Sequence, residues 1–205
     1  MLKRTLVALE QGRVILASGS PRRHDIIKQW CINAEIIPST FDENLDRSNY
    51  ESHGEYVQDL AWHKVQEVYD RLKDDSVPPA LIIGADTLVT LDNVIYGKPK
   101  DNAEAFQVLS RLANKEHIVY TGVCLKTPKK EIIFYDSTRV KFGDISDEQI
   151  HDYVNTGECL DKAGGYAVQG IGGSLIERIN GDFFTVTGLP SYLTIYHLNK
   201  IFSNA

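Results

Sequence analysis

The sequence predicts an α/β protein with a mixed β-sheet. Apolar, β-prone segments alternate with segments of helical spacing along all 205 residues. Two of the β-prone segments, at 118–125 and 132–142, are separated only by a short polar turn, which is typical of a hairpin. Hairpins beside crossover helices favour a mixed sheet over an all-parallel one. At this length the chain suits one domain, or two lobes that share a core.

The N-terminal elements follow from one apolar run and its interruption. Residues 13–17 (RVILA) predict a buried strand, which residues 18–20 (SGS) bring to an end. Pro21 then suits the first turn of a helix. Residues 41–49 are polar and acidic, which predicts a loop.

The middle of the chain contains the clearest helix and the longest β-prone segment. Residues 55–72 carry apolar side chains at helical spacing and predict a helix with one buried stripe. Residues 80–91 predict a strand that polar residues interrupt, and Asp92 with Asn93 predicts a tight turn. The same criteria predict the remaining elements: a strand at 94–96, a helix at 101–112 with Asp101 at or near its N-cap, a helix at 146–154 capped by Ser146, a strand at 174–179 and a helix at 189–202.

The overall charge argues against a long nucleic acid as the partner. The formal net charge is -6, and the pI is about 5.5. A protein that binds a nucleic acid polymer needs a basic surface, because it must neutralise many phosphates. A single nucleotide requires only a few convergent Lys and Arg residues, so an acidic chain is compatible with a nucleotide ligand.

The sequence also predicts a cytoplasmic protein without a membrane partner. It has no apolar run long enough to cross a bilayer, and residues 1–11 are too short and too mixed for a signal peptide. The three cysteines, Cys31, Cys124 and Cys159, are far apart and lack metal-ligand spacing. Each lies in or beside an apolar stretch, which predicts buried free thiols in a reducing compartment.

A candidate phosphate site follows the first predicted strand. Ser18, Ser20, Arg22 and Arg23 surround the predicted helix start at Pro21. A helix N-terminus presents unpaired N–H groups and a positive dipole end, and hydroxyls and guanidiniums add donors, so this segment suits a polyphosphate. A serine-capped helix with two solvated arginines explains the same residues, and the segment alone slightly favours that interpretation.

An acidic residue, Asp86, interrupts the most apolar predicted strand. Burying a bare carboxylate is costly, so Asp86 is expected to be paired, bound to a metal or exposed in a cleft. A metal ligand or general base is the interpretation that we favour over a turn cap at the end of a strand.

Three further segments suit ligand contacts. Lys64 lies at the edge of an apolar helical stripe, where an amine either snorkels to solvent, the interpretation favoured from the stripe alone, or points into a polar cavity. Lys98 lies between Gly97 and Pro99, which suits an anion contact, but an ordinary basic loop is the interpretation favoured from this segment alone. Residues 164–173 contain five glycines and Gln169, whose amide has the donor and the acceptor needed to pair with a pyrimidine edge. A long flexible connection also explains those glycines.

Taken together, these segments resemble the Maf family. Nine blocks match the family pattern in order and at compatible spacing, from about residue 15 to about residue 193: LASGSPRR at 16–23, FDE at 41–43, Lys64, GADT at 84–87, GKP at 97–99, His117 with TGV at 121–123, DKAG at 161–164, QG at 169–170 and GLP at 188–190. Within the family, one branch acts on dTTP and UTP and another on 7-methyl-GTP. The chain resembles the first branch at Arg22-Arg23, Asp86-Thr87 and Gln169.

The resemblance implies a fold, a reaction and a cofactor. The fold is a single Maf-like domain over residues 1–205, with a mixed twisted sheet in two lobes around a central cleft, as in inosine triphosphatases. The reaction is hydrolysis of dTTP, UTP or a related pyrimidine triphosphate to the monophosphate and pyrophosphate, in a house-cleaning or cell-division-linked role. The resemblance also implies Mg²⁺ or Mn²⁺ as cofactor and a homodimer. The alternative is a nucleotide-binding regulator of cell division that does not hydrolyse its ligand.

The resemblance further implies a role for each candidate residue. Asp86 is expected to be the general base, and Glu43 with Asp86 to hold the metal. The expected substrate contacts are Ser18, Ser20, Arg22, Lys64 and Lys98 at the triphosphate, and Arg23, Thr87 and Gln169 at the base.

Overall fold

The seven-stranded mixed sheet confirms the predicted α/β class. A computed structural model describes residues 3–202. Within them the strands are β1 Val14–Leu16, β2 Ala34–Ile36, β3 Leu81–Leu91, β4 Val94–Tyr96, β5 Glu116–Lys126, β6 Glu131–Phe142 and β7 Ile176–Asn180. The strand order is β2-β1-β3-β5-β6-β7, with β4 paired to β3. β1 pairs in parallel with β2 and β3, whereas β3–β4 and β6–β7 are antiparallel.

The helices of the same part of the chain are α1 Lys3–Gln11, α2 Pro21–Gln29, α3 His53–Leu72, α4 Asn102–Leu112, α5 Asp147–Asn155, α6 Phe183–Thr187 and α7 Ser191–Phe202. The predicted caps are confirmed. Asp101 Oδ1 accepts the N–H of Glu104 at 2.8 Å, and Ser146 forms a reciprocal capping box with Gln149.

Three short elements, α1, β2 and α6, were not predicted. α1 buries only Thr5 and Leu9, so its apolar stripe is too thin to stand out. β2 has three residues, and none of them is fully buried. α6 has the sequence FFTVT, whose residues have low intrinsic helix propensity, so tertiary packing decides its conformation.

The first of two compact units comprises Met1–Asp86, Thr121–Asp136 and Gly188–Ala205. In its core, α3 packs on β1, β3 and β5 through buried apolar side chains. Two glycines within the strands permit this approach. A Cβ on Gly84 would lie 2.3 Å from Val65 Cγ2, and a Cβ on Gly122 would lie 2.3 Å from the Val57 carbonyl oxygen. Since no side chain fits in either place, these glycines set the depth at which α3 lies.

The second unit comprises Thr87–Tyr120 and Ser137–Thr187 and has its own apolar core. His117 is buried in that core, with Nε2 at 2.8 Å from the Tyr166 hydroxyl oxygen. Burial lowers the pKa of His117 to about 4, so its imidazole is neutral near pH 7. The expectation of two lobes around a cleft within a single domain stays a prediction.

The cysteine prediction is confirmed at two positions and wrong at the third. Cys124 and Cys159 are buried free thiols, and burial raises the pKa of both. Cys31 is exposed. It adopts a positive φ of 61° two residues after the end of α2, where the chain turns sharply.

Candidate active site

Lys64 lies between two carboxylates in the first unit. Its Nζ atom is 2.6 Å from Asp86 Oδ1 and 2.7 Å from Glu43 Oε1. The side chains of Lys64 and Asp86 are 12% and 14% exposed, whereas that of Glu43 is 54% exposed. The interpretation of Lys64 as a snorkelling side chain is therefore wrong: the ammonium is largely withdrawn from solvent and compensates charge within the protein.

Local sequence places these groups. Asp86 lies in the middle of β3, directly after the fully buried Ala85. Lys64 lies on α3 immediately before Val65, which packs against the same strands, so the packing of the stripe brings the ammonium to the sheet. The packing of α3 on β3 thus brings two carboxylates to one ammonium.

The Ser18–Arg23 segment is built around Arg23 rather than around a serine cap. Ser20 occupies the N-cap position of α2, but its side chain makes no capping hydrogen bond. Ser18 Oγ accepts a hydrogen bond from Arg23 Nη1 at 3.0 Å, and Arg23 Nε donates to the Gly188 carbonyl at 2.8 Å. The alternative of a serine-capped helix with solvated arginines is therefore wrong in two respects. Ser20 does not cap the helix with its side chain, and Arg23 bonds within the protein.

Electrostatics place Arg23 close to the carboxylates. Burial lowers the pKa of Arg23, and the negative charges of Asp86 and Glu43 oppose this effect, whereas Arg22 reinforces it. Both arginines are only partly exposed. The first unit therefore gathers cationic and anionic groups from the first strand–helix junction, the acidic loop, α3 and β3.

The second unit brings two other predicted motifs together. The Gly97 carbonyl accepts the N–H of Gly164 at 3.0 Å, so the loop that carries Lys98 lies against the glycine-rich run. The side chains of Lys98 and Gln169 are both exposed. Thr87 directly follows Asp86 in β3, and both residues are partly buried.

The glycine-rich run is held in place, so the interpretation of it as a flexible connection is wrong. Glu158 accepts the N–H groups of Ile171 and Gly172 at 3.1 and 2.8 Å, and the Tyr153 hydroxyl accepts the N–H of Ala167 at 3.2 Å. These contacts fix the backbone on both sides of Gln169.

The donor set at Lys64 fits a hard divalent cation. No group of three or more His, Cys, Asp or Glu side chains within residues 3–202 is arranged to hold a metal ion by itself. Mg²⁺ is commonly bound by one or two carboxylates together with substrate phosphates and water, so the pair Glu43 and Asp86 has suitable chemistry.

Tyr56 also lies near the two carboxylates, and Arg47 lies against Tyr56; the sequence did not indicate either residue. Burial raises the pKa of the Tyr56 phenol, and the nearby Asp86 and Glu43 raise it further. Arg47 lies over the Tyr56 ring, with Cζ 5.5 Å from the ring centroid. The spacing of Tyr56, two helical turns before Lys64, could have indicated it, because residues at this spacing lie on nearby parts of one helix surface.

Comparison with known families identifies the family of this chain. The model of the family described as "Maf-like protein" matches residues 13–201. The chain belongs to the Maf family. It is 45% identical over 191 residues to a dTTP/UTP pyrophosphatase of Caldicellulosiruptor bescii, covering 92% of this chain and 94% of that protein.

Two more distant similarities accompany this match. The Maf chain is 41% identical over 187 residues to a human protein named probable bifunctional dTTP/UTP pyrophosphatase/methyltransferase protein, covering 87% of this chain and 30% of the human one. Among solved structures, it resembles the Ham1 protein of Staphylococcus aureus with a TM-score of 0.41 and 15% identity, over 64% of this chain and 72% of that chain.

Between residues 3 and 202, no helix is both long and apolar enough to span a membrane.

Proposed function

We propose that this Maf protein is a nucleoside triphosphate pyrophosphatase that hydrolyses dTTP and UTP to the monophosphate and pyrophosphate. The observation that carries the proposal is the position of Lys64 Nζ between Asp86 and Glu43. The name and the 45% identity of the Caldicellulosiruptor bescii relative support the substrate class. CTP and modified pyrimidine triphosphates belong to the same chemical class.

Asp86 acts as the general base in the proposed reaction. Its carboxylate takes a proton from a water molecule, whose oxygen attacks the α-phosphorus. The bond between the α-phosphorus and the bridging oxygen breaks, and pyrophosphate leaves with the bonding electron pair. Catalysis of this kind depends mainly on positioning and on neutralising phosphate charge.

The cations of the site bind the triphosphate. The Lys64 ammonium has three N–H donors, and Asp86 and Glu43 engage two of them, so one donor is left for a phosphate oxygen. Arg22, Ser18 and Ser20 add donors at the start of α2, and Lys98 adds a further charge. Arg23, Thr87 and Gln169 are proposed to select the base.

Glu43 and Asp86 are proposed to hold Mg²⁺ or Mn²⁺. A divalent ion held by these two carboxylates would neutralise phosphate charge and lower the pKa of a bound water molecule. A cytoplasmic location, a homodimer and the absence of a nucleic acid polymer partner stay predictions.

A panel of triphosphates tests the function. Purified protein is incubated with dTTP, UTP, CTP and purine triphosphates, with and without Mg²⁺, and the products are identified by ³¹P NMR. We expect monophosphate and pyrophosphate from dTTP and UTP only when Mg²⁺ is present. Nucleotide binding without turnover would favour the regulator, and release of orthophosphate would contradict the proposed bond cleavage.

A further inference from the structure

Glu43 reaches Lys64 from a segment without regular structure. The chain has neither helix nor strand between the end of β2 at Ile36 and a 3-10 turn that begins at Arg47. Holding a carboxylate at one position on such a segment costs conformational entropy, and Glu43 is the most exposed member of its cluster with Lys64 and Asp86. Contacts from another element must therefore fix the segment.

One face of α3 supplies contacts at both ends of residues 38–41. Arg71 Nη2 donates to the Pro38 carbonyl at 3.0 Å. The His63 ring stacks on Phe41, with centroids 4.5 Å apart and an interplanar angle of 2°. Residues 63, 67 and 71 are spaced four apart, so they lie on the same side of the helix.

Glu67 occupies the middle of this face and makes the most contacts to the segment. Its carboxylate accepts hydrogen bonds from the Ser39 hydroxyl at 2.9 Å, the Thr40 N–H at 3.1 Å and the Thr40 hydroxyl at 3.0 Å. Arg71 Nε lies 2.8 Å from Glu67 Oε1 and holds the carboxylate in place. Burial acts to raise the pKa of Glu67, but the bonds from Thr40 and Ser39 outweigh it and lower the pKa.

We propose that Glu67 is a positioning residue of the candidate site, which fixes residues 38–41 on α3 so that the Glu43 carboxylate lies beside Lys64 and Asp86. A carboxylate suits this task because it only accepts hydrogen bonds, and all three groups of the segment that face it are donors. The proposal rests on the proposed function in that Glu43 serves there as a metal ligand.

The test compares Glu67→Gln with the control Asp70→Asn. Both changes remove one carboxylate from α3, but Asp70 bonds only within the helix region, to Gln66 and Lys73. Two quantities are measured: hydrogen exchange at the Thr40 amide, which Glu67 accepts directly, and the dissociation constant of Mn²⁺ alone, followed by electron paramagnetic resonance of free Mn²⁺. Exchange along α3 and β3 reports whether each variant is folded.

In Glu67→Gln we expect the Thr40 amide to exchange about tenfold faster, the factor that corresponds to one hydrogen bond to a charged group. We expect the dissociation constant of Mn²⁺ to rise by roughly tenfold, as for loss of a residue that orients a ligand. α3 and β3 should keep wild-type exchange, and Asp70→Asn should leave both quantities unchanged.

Wild-type exchange at Thr40, or faster exchange with unchanged Mn²⁺ affinity, would overturn the positioning role, as would a wild-type protein that does not bind Mn²⁺. These outcomes are distinct from failure of the proposed function. If the wild type binds Mn²⁺ but releases no pyrophosphate from any triphosphate, the hydrolytic function fails while the role of Glu67 stands.

Discussion

Lys64 on α3 and Asp86 on β3 share a hydrogen bond of 2.6 Å between Nζ and Oδ1. Both side chains are largely withdrawn from solvent, so each charge depends on the other for compensation. The bond joins a helix and a strand that pack through the fully buried Val65 and Ile82. A rigid core thus fixes the relative positions of the proposed general base and a proposed phosphate ligand.

Asp86→Asn should abolish hydrolysis while keeping the fold. Because an amide does not accept the proton of the attacking water, we expect pyrophosphate release from dTTP to fall by about a hundredfold or more. The initial rate is compared with that of Asp74→Asn, an exposed position after α3, and circular dichroism checks the fold. Wild-type turnover in Asp86→Asn would remove Asp86 from the mechanism.

Gln169→Ala should change substrate preference more than stability. Gln169 is exposed on the fixed glycine-rich run, so its loss should change the free energy of unfolding by no more than about 0.5 kcal/mol. We expect kcat/KM for dTTP and UTP to fall relative to that for purine triphosphates. Gln107→Ala, at an exposed position of α4, is the control. An unchanged substrate profile would refute base recognition by Gln169.

His117 should make the protein less stable in acid. Its pKa is about 4 in the folded protein, against 6.5 for the ordinary imidazole, so the unfolded chain binds the proton more readily. The contribution of His117 to the free energy of unfolding is therefore fully present above about pH 6.5. It is lost as the pH falls from 6.5 to 4, and the loss is on the order of 3 kcal/mol.

Urea unfolding at pH 7.5 and pH 4.5 measures this effect. His117→Gln should lose less stability between the two pH values than the wild type, because the amide does not titrate. His24→Gln, at an exposed position, should behave like the wild type. Equal pH sensitivity of wild type and His117→Gln would show that other groups cause the acid instability.

Gly170→Ala should destabilise the second unit. A Cβ at this position would lie 1.8 Å from Glu158 Oε1, so Glu158 would have to give up its place against the Ile171 and Gly172 amides. The loss of these charged hydrogen bonds corresponds to about 2 kcal/mol. Gly97→Ala is the matched control, because a Cβ there meets nothing within 4 Å. Equal urea midpoints for the two variants would contradict a stabilising role of the hydrogen bonds from Ile171 and Gly172 to Glu158.

Local sequence patterns predicted the longer elements well. α3 and β3 were predicted nearly in full, because an apolar helical stripe and an apolar strand are both visible as patterns in neighbouring residues of the sequence. The caps of α4 and α5 followed from local chemistry. β2 was missed because its three residues carry no pattern of their own and pair with β1 only in the folded sheet.

Residue types and their order were enough to predict the α/β class, the family resemblance and the candidates Glu43, Lys64 and Asp86. Three contacts became visible only in the folded protein: Lys64 turns inward to two carboxylates, Arg23 bonds Ser18 and Gly188, and Glu67 accepts hydrogen bonds from Ser39 and Thr40. Such contacts join residues 20 or more positions apart or depend on a side-chain direction. Local propensity does not reveal long-range contacts or side-chain directions, because the packing of the whole core determines both.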